Sequence, residues 1–473
     1  MTQTSQHAFG FQRPQLSARR ACRVQDVAAL CDALTSNTRL SELSCSCHPL
    51  SPGAAARFGA ALAANGALRS VSVGDSSFGD AGLAAMAGGL AANKGLTRLD
   101  LEHKALTAAG ARALAACLAA HPTLQELLIG RNELGTDGVS ALCVPWRALR
   151  ALDLSSCGLG APAVAALAAA PALGTLAQLA LADNELGPGA GAPLAELLGR
   201  AGKLRVLELA GTRLGEEGVA TLASALPSAP GLAALDLSRC GMSAAGVRAL
   251  AGGLRRQAAA GPLRLVLGPG NDLGHESVVE LAAALQERAR SGDSQHGDKG
   301  QQQQQQQRGR EAVNYDLDLG GGDLGLAAVQ ALARLPGLEG LALFRAALSD
   351  AAVAALCGAV AASGGEGGGE GHAEERQFAG LRNLNLSGCG LGLASLKQLL
   401  AALERAGAGS PLRLVEVGAN PGADEAEFHE AAAALKAARP ELDVHWRAAD
   451  GSSEGAGQVG GGGLRLQAAA PGP

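Results

Sequence analysis

The sequence predicts an α/β solenoid, a horseshoe with a parallel β-sheet on its concave side and α-helices on its convex side. Three observations carry that prediction. One apolar string recurs thirteen times, with apolar residues at positions 1, 4, 6 and 11 and a small or polar residue at position 9. The cleanest copy reads Leu124, Leu127, Ile129, Asn132, Leu134 and then Gly138. The units begin at Leu40, Leu68, Leu96, Leu124, Leu149, Leu176, Leu204, Leu232, Leu263, Asn314, Leu338, Leu381 and Leu412, with 28 residues the recurring spacing. A repeat of that length is one supersecondary unit, which cannot bury its own apolar face and must stack on its neighbours. Hydrophobic residues make up 47% of the chain but aromatics only 2%, so the core must be aliphatic.

Taken in order, residues 1–23 read as a disordered arm. They contain Arg13, Arg19, Arg20 and Arg23 and no acid, a composition shared with organelle transit peptides. Val24 to Ser36 places Val27, Leu30 and Leu34 on one helical face and predicts an N-terminal cap. Each repeat then opens with a short strand, because apolar positions 4 and 6 alternate with polar 3, 5 and 7. A turn and a helix follow. In the unit at Leu204, Leu207 and Leu209 point inward, Glu216 and Glu217 open the helix, and Pro227 and Pro230 close it. One strand and one helix per unit force the strands to run parallel. Two insertions, 287–312 with seven glutamines at 301–307 and the Gly-Glu-rich 363–377, are expected as solvated loops. A helix from about Asp424 to Arg439 and a strand at Leu442 to Trp446 are expected to close the array, which spans 24–446; 447–473 reads as a disordered tail.

The charge balance excludes one class of partner. Lys plus Arg is 39 against Asp plus Glu 44, a net −5, which does not suit a surface that tracks phosphates. Nucleic acid is therefore not expected. No apolar run reaches the ~18 to 20 residues that span a bilayer, so no membrane partner is expected. Ten cysteines are spread along the chain, and Cys157, Cys240 and Cys389 occupy position 9 of their repeats. They read as reduced, buried and structural, which places the chain in the cytoplasm, with cytoskeletal or ciliary assemblies an analogy and an organelle the alternative.

The string Leu-x-x-Leu-x-Leu-x-x-Asn/Cys-x-Leu at this period resembles the ribonuclease-inhibitor type of leucine-rich repeat, over about 40 to 445. The resemblance implies a horseshoe that binds proteins through its concave face and ends. More distantly the chain is similar to Ran GTPase-activating proteins, whose acidic tail it lacks, since residues 451–473 hold only Glu454. Two units depart from the pattern. Asn314 replaces the first leucine of the tenth, and the ninth, Leu263 to Asn271, carries an extra residue.

Positions 3, 5 and 7 should line the concave face, because side chains alternate along a strand. Position 5 carries Asp100, Asp153, Glu208, Asp236, Asp318 and Glu416 and no base, and Glu102, Glu126 and Asp316 extend the stripe. Such a stripe attracts a basic partner surface; the blander reading is that Leu-Asp-Leu is a common form of this repeat. Arginines at position 2, among them Arg69, Arg205, Arg264 and Arg413, are placed to neutralise it from the edge. Leu128, Tyr315, Phe344 and Arg345 break the polar habit and suit an interface anchor, although Phe344 could instead pack under the Gly-rich insertion. Cys45, Cys47 and His48 are too few for a zinc site, and Gly187 to Gly191 reads as a turn rather than a phosphate loop. His103 beside Glu102 lacks a nearby nucleophile and reads as a solvated pair. No metal or cofactor is expected.

These readings converge on a non-enzymatic scaffold that binds partner proteins, with a small-GTPase regulator as the alternative. The register itself is testable: Leu207→Ala should cost ~2 to 5 kcal/mol as an inward core leucine. A loss below ~0.5 kcal/mol on chemical denaturation would show that the register is wrong.

Overall fold

The computed structural model describes residues 24–46, 48–257, 261–294, 313–364 and 377–446. Fourteen parallel strands form one sheet. They are β1 (Glu42–Ser46), β2 (Ser70–Gly74), β3 (Arg98–Asp100), β4 (Glu126–Leu128), β5 (Ala151–Asp153), β6 (Gln178–Ala180), β7 (Val206–Glu208), β8 (Ala234–Asp236), β9 (Leu263–Val266), β10 (Tyr315–Asp318), β12 (Leu338–Ala342), β14 (Asn383–Asn385), β15 (Leu414–Glu416) and β16 (Asp443–His445). The short β11 (Asp323–Leu324) and β13 (Ala347–Leu348) pair beside it in a second, two-stranded sheet. Thirteen strands belong to the thirteen repeats and the fourteenth closes the array. Each strand of the sheet before β16 is followed by a helix on the far side of the core. Helices are ~10 Å across and strands lie only ~4.8 Å apart, so stacking bends the array with the sheet inside. Thirteen strand gaps give the inner face a run of about 62 Å by that spacing.

Leucines at positions 4 and 6 fill the space between sheet and helices. Leu99, Leu101, Leu127, Ile129, Leu207 and Leu209 have no exposed surface. The expected N-terminal helix spans Val24–Ser36, with Leu34 buried and Val27 and Leu30 half-buried against the core. The closing helix spans Ala426–Ala438, and Trp446 meets its Phe428 edge-on at 5.9 Å. That end of the core is covered. The other is not: the first-unit leucine Leu40 remains 38% exposed, and Leu43 and Cys45 are only half-buried.

The ninth unit corrects the register expected for it. Arg264 lies opposite Ala234 and Asp316, and Val266 opposite Asp236 and Asp318. The unit thus starts at Pro262, with Leu265 and Leu267 at the inward positions, both fully buried. The extra residue sits in the following turn, where Asn271 reaches the Leu267 carbonyl four residues back instead of three. Arg264 moves from the edge to the inner row. The helix after this strand runs on to Ser294, into the span expected as insertion. The glutamine run, most of the second insertion, the arm, the tail and Cys47 lie outside the described residues.

Position 9 is where neighbouring turns are tied together. Asn184 Oδ1 accepts the N–H groups of Cys157 and Leu159 in the preceding unit, while its Nδ2 donates to the carbonyls of Leu154 and Leu181. Asn132 and Asn271 bridge the preceding unit in the same way, and Asn420 makes a similar bridge with a single N–H acceptance. The position-9 cysteines substitute a thiol, Cys157 donating to the Ile129 carbonyl and Cys240 to that of Leu209. A second ladder, missed in the sequence, ties the opposite ends of the first units. Asn65 and Asn93 each donate to two carbonyls of the preceding unit and accept two N–H groups of their own turn. Its signal was present, since Asn37, Asn65, Asn93 and His121 recur every 28 residues.

Replacing Asn184 by alanine strands four buried backbone groups. The expected loss is about 2 to 5 kcal/mol in equilibrium unfolding, since each unsatisfied group costs ~1 to 3 kcal/mol and relaxation recovers part of it. A loss under ~0.5 kcal/mol would mean that the ladder contributes nothing beyond packing.

Candidate functional site

Position 5 forms one continuous row across the sheet. In register it reads Ser44, Ser72, Asp100, Leu128, Asp153, Ala180, Glu208, Asp236, Val266, Asp318, Ala342, Asn385, Glu416 and His445. Along this row the inner face divides into three stretches with different chemistry.

The first stretch is polar and internally paired. Arg98 meets Glu126 at 2.6 Å, and Arg131 meets Glu102 at 3.3 Å. Glu102 therefore turns to the next repeat, while His103 is exposed and has a left-handed backbone (φ 57°). Asp100 folds back to accept the Glu102 N–H at 3.0 Å.

The middle stretch is closed. Its small side chains, Ala151, Ala180, Ala182, Ala210 and Ala234, are buried against their neighbours, and Val206, Ala234 and Val266 form a separate apolar cluster on this face. Asp153, Glu208 and Asp236 are set into this floor and are also buried. Burial pushes the Glu208 carboxyl up to about 9, with Asp153 and Asp236 adding repulsion and Arg264 opposing it. Asp236 is raised mainly by burial. Asp318, at the far margin, is raised to about 6, again chiefly by burial. Arg264 and Arg239 are cations that act on this group, Arg264 also pairing with Asp316 at 3.4 Å.

The third stretch, from β10 to β15, is partly open. Asp316, Asp318, Ala342, Phe344, Asn383, Asn385 and Glu416 are all half-exposed. Gly340 leaves room for the Asp316 carboxylate, which would lie 2.3 Å from any Cβ placed there. Phe344 is flanked by Gly320 on one side and Gly388 on the other. The Arg345 guanidinium stands 5.0 Å from its ring centre.

The expected site residues therefore separate. Asp100, Glu102, Glu126, Phe344 and Arg345 stand on accessible inner surface, in two groups at opposite parts of the arc. Asp153, Glu208 and Asp236 are on the inner face but submerged, because crowded alanines close over them. Leu128 is 4% exposed, wedged in the row between Asp100 and Asp153, and offers no anchor. Tyr315 is a core residue: it sits at position 2, is fully buried, and its hydroxyl donates to the Leu285 carbonyl at 2.9 Å. Buried Arg288 lies 5.8 Å from its ring. Three position-2 arginines do not neutralise the stripe either. Arg69, Arg205 and Arg413 cap carbonyls of the helix-to-strand turns. Arg264, expected to neutralise the stripe from the edge, does face the acids but from the inner row; its register was concealed by the evenly spaced Leu263, Leu265 and Leu267, which fit two registers.

The Leucine Rich repeat family model matches residues 120–143, 147–168 and 232–251. The fold is a leucine-rich repeat solenoid. Among solved structures the chain is similar to an internalin from Listeria monocytogenes, at 14% identity and a TM-score of 0.40, covering 90% of this chain and 88% of that one. No curated protein matches. Among the described residues no helix is long and apolar enough to cross a membrane.

The Glu208 proton gives a pH dependence with a definite sign. The folded chain retains a proton that the unfolded chain releases near its ordinary value of 4.5, so folding stability is full below that value and falls as pH rises toward about 9. Thermal midpoints measured from pH 5 to 8.5 should fall across the range, and Glu208→Gln should flatten the decline. An unchanged slope in the variant would show that Glu208 is not the group responsible.

Proposed function

We propose that this chain is a non-enzymatic scaffold of ribonuclease-inhibitor-like repeats that binds a partner protein on its inner face, with the contact centred on Phe344. The observation that carries this reading is the exposure of that one ring. Phe58, Phe78, Phe378 and Phe428 are at most 2% exposed, whereas Phe344 is half-exposed on an open sheet face. An aromatic beside an arginine is the usual composition of an interface anchor. Asp316, Asp318 and Glu416 around it favour a partner with a basic surface, whereas Glu102 and Glu126, already paired with Arg131 and Arg98, add polar contact rather than net negative charge. Buried thiols at Cys117, Cys157, Cys240 and Cys357 fit a reducing compartment such as the cytoplasm. The closed middle of the face argues against a deep small-molecule site there.

Tagged protein would be used to recover partners from native extract, in parallel with a Phe344→Ala, Arg345→Ala variant whose fold is confirmed by circular dichroism. Loss of an anchor of this kind costs about 2 kcal/mol or more, roughly thirtyfold in affinity. A partner held equally by both proteins would place binding elsewhere on the molecule. A recovered small GTPase whose hydrolysis the chain accelerates would replace the scaffold reading with a regulatory one.

A further inference from the structure

Asn65 and Asn93 close the turns that carry their helices into β2 and β3 in the same way. Each Oδ1 accepts the N–H groups two and three residues on, those of Ala67 and Leu68 in one case and of Gly95 and Leu96 in the other, at 2.7 to 2.9 Å. The next rung is a histidine. His121 caps the helix Ala108–Ala120 and leads into β4, and its Nδ1 takes the place of the asparagine oxygen, accepting the N–H of Thr123 at 3.4 Å and of Leu124 at 3.1 Å. A ring nitrogen that accepts two N–H groups carries no proton, so the neutral ring holds its proton on Nε2. His121 is 2% exposed, and its Nε2 reaches no acceptor among the described residues. The asparagine Nδ2 groups, by contrast, each find two carbonyls.

The turn therefore accommodates one protonation state. A second proton would make Nδ1 a donor aimed at two backbone donors, leave both of those without an acceptor, and bury a cation. A helix C-terminus ordinarily favours a cation, but the ring's surroundings offer it no anion. The charged and titratable groups on the adjoining turns are Arg69, which donates to the Gly95 carbonyl, the exposed Lys94 and Arg147, and the Cys143 thiol. On the same helix Arg112 is exposed in the second turn. The acids of the neighbouring helices, Asp80 and Asp137, lie in their first turns, at the opposite end. Burial alone lowers the basicity of His121, and no carboxylate acts on it.

We propose that His121 is an acid-released latch on the turn into β4: the neutral ring holds residues 121–124 closed, and protonation lets that turn open. What the latch controls follows from the strand it precedes. β4 begins at Glu126, the partner of Arg98, and Thr123 ties the same turn to the preceding unit through the Leu96 carbonyl at 2.8 Å. Release loosens the seam between the third and fourth units and with it the polar stretch of the inner face. The sign is that of a base held neutral: the contribution to stability is complete above the ordinary value of 6.5 and is lost as pH falls from there toward the lowered value of the folded chain. It opposes, and offsets part of, the trend set by Glu208.

Amide hydrogen exchange read by mass spectrometry, converted to protection factors at pH 7.5 and 5.5, tests this on the peptide covering residues 121–128 of the full chain. The peptide covering 394–403, in the distant helix Leu393–Ala406, is the reference. One pH unit below 6.5, about ten in eleven opened turns hold the extra proton, so protection at 121–128 should drop roughly tenfold between the two pH values while 394–403 is unchanged. His121→Asn, the residue that already serves at 65 and 93, should keep its protection at pH 5.5. No drop in the unaltered chain, or the same drop in the variant, overturns the proposal. Exchange of the His121 ring C2 hydrogen in the unaltered chain needs no variant: its titration midpoint should lie below 6.5, and a midpoint at or above that value also overturns the latch.

Discussion

The structure depends on one constraint: each turn of this array contains buried backbone groups that only the next repeat can satisfy. Asn184 shows it most fully, accepting two N–H groups from the unit before and returning two donors, one to that unit and one to its own. Without that side chain the turn at Cys157 would bury polar backbone at a cost larger than any single apolar contact gains. The leucines set the thickness of the molecule, but these bridges set its continuity. They explain why position 9 accepts asparagine, cysteine or threonine, each of which can donate to a carbonyl: Thr212 does so to Leu209 at 2.6 Å. They explain Lys104 as well, which sits at the same position, is almost fully buried, and sends its ammonium to the Gly74 carbonyl at 2.8 Å.

Periodicity made the architecture legible. A leucine spacing retained through thirteen units specifies strand, turn and helix in register, and the row of position-5 residues follows from it across twelve of them. The exception, the ninth unit, shows where such reading fails. Leu263, Leu265 and Leu267 alternate evenly, so apolar pattern alone cannot say which two face inward; the hydrogen bonds of Asn271 decide it, and those are a property of the fold. Tyr315 illustrates a second limit. A lone aromatic at position 2 looks like surface in a repeat whose consensus is polar there, yet its ring is buried beside Arg288 and its hydroxyl is satisfied by the Leu285 carbonyl.

The candidate site was legible as chemistry and not as topography. The acids were countable in the sequence, but whether a carboxyl on a sheet face meets water depends on its neighbours in adjacent strands. Between β5 and β8 those neighbours are Leu128, Ala180 and Val266, with more buried alanines beside the row, and Asp153, Glu208 and Asp236 lose their solvent. Between β10 and β15 they are interspersed with glycine and asparagine, and the face stays open. One stripe of acids thus becomes two different things: a buried floor in which Glu208 holds its proton, and a margin of half-exposed acids around an aromatic ring. Electrostatic steering belongs to the second, since the protonated Glu208 projects little field.

The left-handed residue at position 8 has a separate significance. His103, Arg131, Ser156, Asp183, Arg239, Arg345 and Ala419 all adopt it, with glycine at equivalent places in other units. Cations, an anion, a hydroxyl and a methyl occupy the same backbone geometry, each at a strain of ~1 to 2 kcal/mol that the flanking bridges hold in place. Along the rim of the arc the fold therefore dictates a torsion angle and leaves the choice of side chain open. That strip can be rewritten by substitution, one repeat at a time, while the layers beneath keep their shape, which makes it the natural register for divergence in what the molecule recognises.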